Sequence, residues 1–161
     1  MRPINNRGSR GFSLLELVIV VVIIAIIAAI AVPRLSRGTA GAADSALSGD
    51  LAVLRNALDL YSAEHTGAYP TEANVVAALT TYTDAAGAPV AAKDATHIYG
   101  PYLRKVPPLP VGARKGDAGL SATLDFSVVG IGWVYDAATG NIRANCDDTE
   151  LDDADVKYNT Y

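Results

Sequence analysis

An apolar run near the N-terminus constrains this chain more than any other feature. From Leu17 to Val32 the sequence contains no charged residue, and the run stops at Pro33. Counted from Phe12, a helix over this stretch would be about 30 Å long, which is enough to cross a bilayer core. The sequence therefore predicts a membrane-spanning helix, with a single carboxylate, that of Glu16, near its start.

Glu16 is the unusual residue of this segment. A charged side chain in hydrocarbon costs about 2.5 to 3.5 kcal/mol near the bilayer centre, and less near an edge. A carboxylate that stays in such a place usually has a cationic partner and a task. The other interpretation is a side chain that extends towards the interface without any partner.

The charges around the run indicate its orientation. Arg2, Arg7 and Arg10 precede it, and the positive-inside rule keeps that end in the cytoplasm. Arg34 and Arg37 follow the run and weaken the asymmetry. We expect a single-pass protein whose C-terminal domain lies outside the cytoplasm.

An ordinary secretory signal peptide is the main rival interpretation of this segment. Ala28, Ala29 and Ala31 resemble the small-residue cleavage site of such a peptide. Against it, an acidic residue opens the apolar region, and a helical pattern continues beyond the supposed cleavage point. A plain single-pass anchor is the second rival.

Length and composition limit the rest of the molecule. The 161 residues leave room for one domain of about a hundred residues beside the apolar helix. Without the residues before Phe12, ten basic and seventeen acidic residues remain, a formal charge of −7, which argues against nucleic-acid binding. Cys146 is the only cysteine, so the chain cannot form an intramolecular disulfide.

The segment from Arg10 to Pro33 resembles the N-terminal signal of type IV pilins and type II secretion pseudopilins. The resemblance implies that a prepilin peptidase cleaves between Gly11 and Phe12 and methylates the new N-terminal Phe12. It also places the family's assembly glutamate at Glu16 and its helix-kinking proline at Pro33. Ser13 stands where threonine is more usual in the family.

Assembly follows from the same resemblance. The free amine of Phe12 on a neighbouring subunit can pair with Glu16 in the apolar layer and so fix the stagger of subunits. The implied partners are further copies of the chain in a homopolymer, the peptidase, an inner-membrane assembly platform, minor pilins or pseudopilins, and membrane lipid. The implied location is the bacterial cytoplasmic membrane, with a periplasmic or extracellular filament after assembly.

An amphipathic helix is predicted beyond Pro33. Its apolar stripe has alternating spacings of four and three residues, as one face of a helix requires. The stripe consists of Leu47, Leu51, Leu54, Leu58 and Tyr61. Solvent is expected on the other face, which carries Asp50, Arg55, Asp59 and Glu64. The helix should end near His65, with Gly67 as C-cap and the helix dipole favouring partial positive charge on the histidine.

Between this helix and the C-terminal strands, the sequence predicts a short helix within residues 71–83, capped by Thr71. Loops rich in proline and glycine follow it. A small basic group in these loops is expected to face solvent or to contact other subunits. It comprises Arg104, Lys105, Arg114 and Lys115.

Strands are predicted over residues 124–128, 131–135 and 142–144, with a hairpin over 133–145. The fold class is therefore α+β and pilin-like, a long N-terminal helix packed on a small antiparallel sheet. We expect a leader at 1–11, a transmembrane and assembly helix at 12–33, an amphipathic half-helix at 34–66, a globular domain at 67–146 and an acidic tail at 147–161.

The tail is dense in carboxylates and leaves two interpretations open. Such oxygen ligands could bind calcium, and the pseudopilin resemblance also implies a calcium site, but the run lacks a Gly-spaced ligand loop. The alternative is a solvated acidic tail that keeps subunits soluble. The candidate calcium ligands are Asp147, Asp148, Asp152, Asp153 and Asp155.

Together these features predict a structural filament subunit and no enzyme. The alternative is a membrane-anchored periplasmic module that binds a ligand and does not polymerise. It predicts an uncleaved bond after Gly11 and a stable monomer. The resemblance of residues 61–70 to the helix exit of pseudopilins, and the lack of paired cysteines, favour a secretion pseudopilus over a pilus.

Overall fold

The computed structural model describes residues 12–161, apart from the side chains of residues 32–40. The chain divides into two units, one up to Gly38 and one from Thr39 to Tyr161. The helices are α1 (Leu14–Glu64), α2 (Val75–Thr80) and a 3-10 turn at Tyr158–Thr160. The strands are β1 (Tyr82–Thr83), β2 (Pro89–Val90), β3 (Gly119–Ser121), β4 (Ile131–Tyr135) and β5 (Ile142–Ala144).

Helix α1 is continuous over its 51 residues, so it does not end at Pro33. The kink predicted there stays a prediction. The helix ends as its sequence predicts, at Glu64, and Gly67 adopts a positive φ of 86°. The amide of Gly67 donates to the Ser62 carbonyl at 2.8 Å, which closes the C-terminus of the helix.

The core of the second unit forms around the predicted stripe of α1. Leu47, Leu54 and Leu58 are fully buried, and they belong to one cluster with Trp133 and Tyr135 from β4. The indole of Trp133 donates to the Pro107 carbonyl at 2.8 Å, and the Tyr135 hydroxyl donates to the Pro70 carbonyl at 2.8 Å. These two aromatic side chains are therefore parts of the core.

Two small sheets complete the unit. The pair β1 and β2 is antiparallel, and the second sheet has the order β3, β4, β5. Strands β4 and β5 form the predicted antiparallel hairpin, with Trp133 opposite Ala144. Strand β3 lies parallel to β4, so this sheet is mixed rather than antiparallel throughout. The α+β, pilin-like fold class is confirmed.

Two local predictions were wrong. Residues 124–128 are not a strand, because the Asp125 carboxylate accepts the amide of Ser127 at 2.9 Å and its hydroxyl at 2.6 Å, which stabilises a turn instead of a ladder. Helix α2 begins only at Val75, after Asn74, and therefore is not capped by Thr71. The Thr71 carbonyl instead accepts the amide of Asn74 in the preceding turn.

Candidate assembly site

The apolar part of α1 has no cover within the described chain. Its large apolar side chains are between 45% exposed, at Val20, and 81% exposed, at Leu14. Residues Leu14–Ala31 form the one helical stretch of the described chain that is long and apolar enough to cross a membrane, with a mean hydropathy of 3.3. Water is a poor environment for so much contiguous apolar surface, so this stretch needs lipid or other subunits around it.

Glu16 lies in the first turn of α1, exposed among these apolar side chains. Unpaired backbone amides make the N-terminal end of a helix partially positive, which favours a carboxylate there. Within the described residues, the ion pairs are formed by Asp94, Asp117 and Asp148, and Glu16 takes part in none of them. A cation for Glu16 would have to come from outside this part of the chain.

The other predicted positions of the segment are placed as follows. Gly11 and the leader before it lie outside the described residues. Phe12 precedes the helix and is 77% exposed. Pro33 lies inside α1, and its side chain is not described. The helix thus begins two residues after the predicted cleavage point and includes both Glu16 and Pro33.

Comparison with protein families adds a finding that the geometry alone does not give. Residues 6–32 match the family of the prokaryotic N-terminal methylation motif. This match supports a type IV pilin-like or pseudopilin-like protein. No curated protein and no solved structure shows a significant match to it. The matched family is structural, and its motif implies self-assembly and processing by a prepilin peptidase in general.

The acidic tail of the chain is folded back on the domain. Asp152 is engaged by the amides of Ala154 and Val156, both at 2.8 Å, and by the hydroxyl of Tyr161. These hydrogen bonds hold the pKa of Asp152 below its usual range, with the Tyr161 hydroxyl as the largest cause. The same bond raises the pKa of Tyr161 to about 12.

Two further candidate calcium ligands, Asp147 and Asp148, are also engaged by neighbouring groups. Asp147 accepts the amide of Thr149 at 2.6 Å, and Asp148 pairs with Lys157 at 2.7 Å. The main-chain amide of Asp153 donates to the Asp44 carboxylate at 3.3 Å. In the chain from residue 12 onward, no three His, Cys, Asp or Glu side chains are grouped so that they could hold a metal ion. Calcium binding stays a prediction.

Helix α1 provides anchors for the tail that the sequence did not suggest. Arg55, expected on the solvent face, donates to the main-chain oxygens of Tyr161 at 2.7 Å and Ile142 at 3.2 Å. Asp44 accepts the Tyr158 hydroxyl at 2.8 Å. No local pattern predicts such contacts, because their partners lie 87 to 114 residues away in the chain. The buried Asn159 completes the attachment by donating to the Cys146 carbonyl at 3.0 Å.

His65 joins the end of α1 to β1 and the turn after it. Its ring is buried and stacks on Tyr61, with 3.9 Å between the ring centroids. Nδ1 lies 2.8 Å from the Tyr61 carbonyl, and Nε2 lies 3.0 Å from the Asp84 carbonyl and 3.1 Å from the Thr83 hydroxyl. These partners, more than the helix dipole alone, explain a histidine at this position. They also make it a structural residue rather than a metal ligand.

Cys146 is poorly suited to nucleophilic chemistry. Its side chain is fully buried, and burial together with the nearby Glu150 raises the pKa of the thiol to about 12. The thiolate, which is the reactive form, is therefore scarce at neutral pH. The described geometry of this cysteine is that of a small core residue.

Proposed function

We propose that this chain is a structural filament subunit, made as a membrane-inserted prepilin and polymerised through its apolar helix. The carrying observation is the match of residues 6–32 to the methylation motif. The exposed apolar stretch Leu14–Ala31 supports it, because one subunit alone leaves that surface uncovered. In the membrane, lipid covers this surface, and in a filament the same helices of other subunits replace the lipid.

Processing is the first step of this proposal. The peptidase cleaves between Gly11 and Phe12 and methylates the amine of Phe12. The three arginines of the leader hold that end in the cytoplasm, and the domain from Thr39 onward lies on the other side of the membrane. The other partners are an inner-membrane assembly platform and minor pilins or pseudopilins.

Glu16 guides assembly in this proposal. After cleavage, the amine of Phe12 is the nearest cation that the segment itself can supply to a neighbouring subunit. Pairing the two groups in an apolar layer removes the cost of an isolated carboxylate and selects one axial offset between subunits. Glu16 thus acts by electrostatic registration and takes part in no chemical reaction.

Of the two filament systems, the type II secretion pseudopilus is favoured over the type IV pilus. The C-terminal region here is attached by Arg55, Asp44 and Asn159, without a disulfide. The stretch at residues 61–70 resembles the helix exit of pseudopilins. Loss of protein secretion on deletion of the gene, with surface pili unchanged, would support this choice, and the reverse phenotype would reverse it.

Variants of Glu16 test the assembly role. Glu16→Gln keeps the size and removes the charge, whereas Glu16→Asp keeps the charge. We expect the Gln variant to be cleaved normally and to yield at least tenfold fewer filaments, since about 1.4 kcal/mol per contact already changes an equilibrium tenfold. The Asp variant should retain part of the assembly. Equal filament yield from wild type and Gln variant, measured by shearing and immunoblot, would reject the role of the charge.

A further inference from the structure

A cavity lies at the C-terminal end of α1, and we call it the helix-end cavity. Its volume is about 440 Å³, within the range of about 300 to 1,000 Å³ that is usual for small-molecule sites. Its wall is formed by the end of α1, the stretch before α2 and the turn between β1 and β2, all within the unit from Thr39 onward. The residues of this wall that concern a ligand are Tyr61, Thr66, Tyr69, Thr71, Asn74 and Gly87.

The Tyr61 hydroxyl lies on the cavity wall without an internal partner. Tyr61 is only 3% exposed and its ring stacks on His65, yet its hydroxyl forms no hydrogen bond with any described residue. Gly87 leaves room for this hydroxyl, because a Cβ at position 87 would overlap it. A buried polar group without a partner costs free energy, and a molecule bound in the cavity can supply the missing hydrogen bond.

Thr66 is the second unusual residue of the wall. Its φ is 56°, in the left-handed region, where a β-branched residue is strained and glycine is the usual choice after a helix. Such strain is concentrated at binding sites and other functional positions. The Thr66 side chain is exposed on the cavity wall, and its hydroxyl bonds to no described residue. Threonine at this position thus adds a free hydroxyl to the wall at the cost of backbone strain.

Further unpartnered polar groups and an aromatic ring complete the wall. Asn74 is the N-cap residue of α2, but its side chain makes no capping hydrogen bond. The Thr71 hydroxyl likewise has no partner among the described residues, and both side chains are exposed. Tyr69 is half-buried, and its ring packs on Gly140, where a Cβ would overlap it. The cavity thus combines a fixed aromatic ring with hydroxyl and amide groups.

The charges around the cavity favour an uncharged ligand. None of the described residues on its wall has a carboxylate, ammonium or guanidinium group, and both ring nitrogens of His65 already lie against main-chain carbonyls. Burial and the charge of the nearby Asp84 raise the pKa of Tyr61, so its hydroxyl stays a donor at neutral pH. The Asp84 carboxylate repels anions. It is also not free to bind a cation, because it accepts the amides of Ala86 and Ala88 at 2.9 and 2.8 Å.

We propose that the helix-end cavity binds a neutral saccharide. A sugar ring has an apolar face that can stack on the ring of Tyr69. Its hydroxyl groups can both donate and accept, and so they can pair with the free groups of Tyr61, Thr66 and Asn74. A neutral sugar also carries no charge, which matches the wall. The site needs only the folded domain, so this inference goes beyond the filament function and does not depend on it.

Saturation-transfer NMR tests this site on the full-length protein, solubilised in a detergent without a sugar headgroup. The neutral probes are glucose, galactose and N-acetylglucosamine, and the charged probes are glucuronate, galacturonate and choline. We expect a neutral sugar to bind with a dissociation constant in the millimolar range, and the charged probes to bind about fivefold more weakly or not at all. Absence of binding by every neutral sugar overturns the proposal, as does stronger binding of a charged probe.

The Tyr61→Phe variant tests whether the sugar binds in this cavity. It keeps the ring and removes an unpartnered hydroxyl, so the urea midpoint should stay unchanged or rise while sugar affinity falls about tenfold. The matched control, Tyr158→Phe, removes a hydroxyl that bonds Asp44 on another part of α1, and it should bind sugar like the wild type. Equal losses of affinity in both variants, or no loss in Tyr61→Phe, overturn the assignment of the site to this cavity.

The Thr66→Gly variant separates a binding role from a structural one. Glycine relieves the strain at this backbone position, so the urea midpoint should rise. The same change removes a hydroxyl from the wall, so sugar affinity should fall about threefold. A more stable variant with weaker binding supports the proposal, whereas unaltered affinity contradicts the contact of the sugar with this wall.

Discussion

The two parts of α1 differ in how far their apolar side chains are exposed. Between Leu14 and Ile30 every large apolar side chain is about half exposed or more, whereas Leu47, Leu54 and Leu58 have no exposed surface at all. In the second part, the apolar stripe packs within the chain, against β4 and β5. The first part has to be covered from outside. One helix thus contains both a folding element and a stretch that serves assembly under the proposed function.

Truncation of a buried leucine should have the largest effect on stability. Leu54→Ala removes a fully buried side chain from the centre of the core and should lower the free energy of unfolding by about 2 to 5 kcal/mol. Leu60→Ala, on the exposed side of the same helix, should change it by about 0.5 kcal/mol or less. Urea unfolding in detergent, followed by fluorescence of the single tryptophan Trp133, measures both. Similar losses for both variants would contradict the division of this helix into a buried and an exposed face.

Removal of one buried hydroxyl should have an intermediate effect. Tyr135→Phe keeps the ring and leaves the Pro70 carbonyl without its donor, at a cost of about 1 to 3 kcal/mol. The same unfolding assay measures the change. An unaltered midpoint would mean that water replaces the hydroxyl, and hence that this end of the core is less closed than the structure indicates.

Substitution of Gly49 should raise the stability of the chain instead of lowering it. It lies in the exposed part of α1, and a Cβ there would have no heavy atom within 4 Å. Gly49→Ala should therefore stabilise the detergent-solubilised monomer by about 0.5 to 1 kcal/mol through helix propensity. If the variant is more stable as a monomer but forms fewer filaments, Gly49 lies at a close contact between subunits.

Acid should weaken the attachment of the tail. Of the four predicted changes in stability, this one should be the smallest. Hydrogen bonds lower the pKa of Asp147, Asp148 and Asp152 in the folded chain. The stability from lowered carboxylate pKa values is present above about pH 4 and is lost as the pH falls through the folded-state values. Asp152→Asn should reduce this acid sensitivity, as measured by urea midpoints between pH 3 and pH 6. An unchanged pH profile would show that the tail carboxylates contribute little.

Local sequence patterns were sufficient to predict the elements whose apolar residues recur with a clear period. The apolar run, the stripe from Leu47 to Tyr61 and the hairpin of β4 and β5 could all be predicted, because each depends on residues close in sequence. The parallel pairing of β3 with β4 could not be predicted in this way. A loop separates the two strands in sequence, and no short-range pattern defines their register. The turn at Asp125 was missed because its neighbours have strand-forming side chains.

The residues of the candidate site and the tail were likewise only partly predictable from the sequence. A short motif was enough to propose Gly11, Phe12 and Glu16, because the residue types and their spacing match those of the family. The family match covers all three positions. The attachment of the tail could not be proposed, because Arg55 and Asp44 look like ordinary residues of a solvated helix face. Their partners become neighbours only after the chain has folded.

The most direct test of the central claim is the intact mass and N-terminal residue of the protein from membranes of cells that contain the matching peptidase. The account predicts a mature chain that begins at methylated Phe12, and an uncleaved chain for the Gly11→Val variant. A protein that still begins at Met1 would contradict the prepilin account and favour the anchored binding module. A chain cleaved after Ala31 would contradict it as well and would indicate a secreted protein.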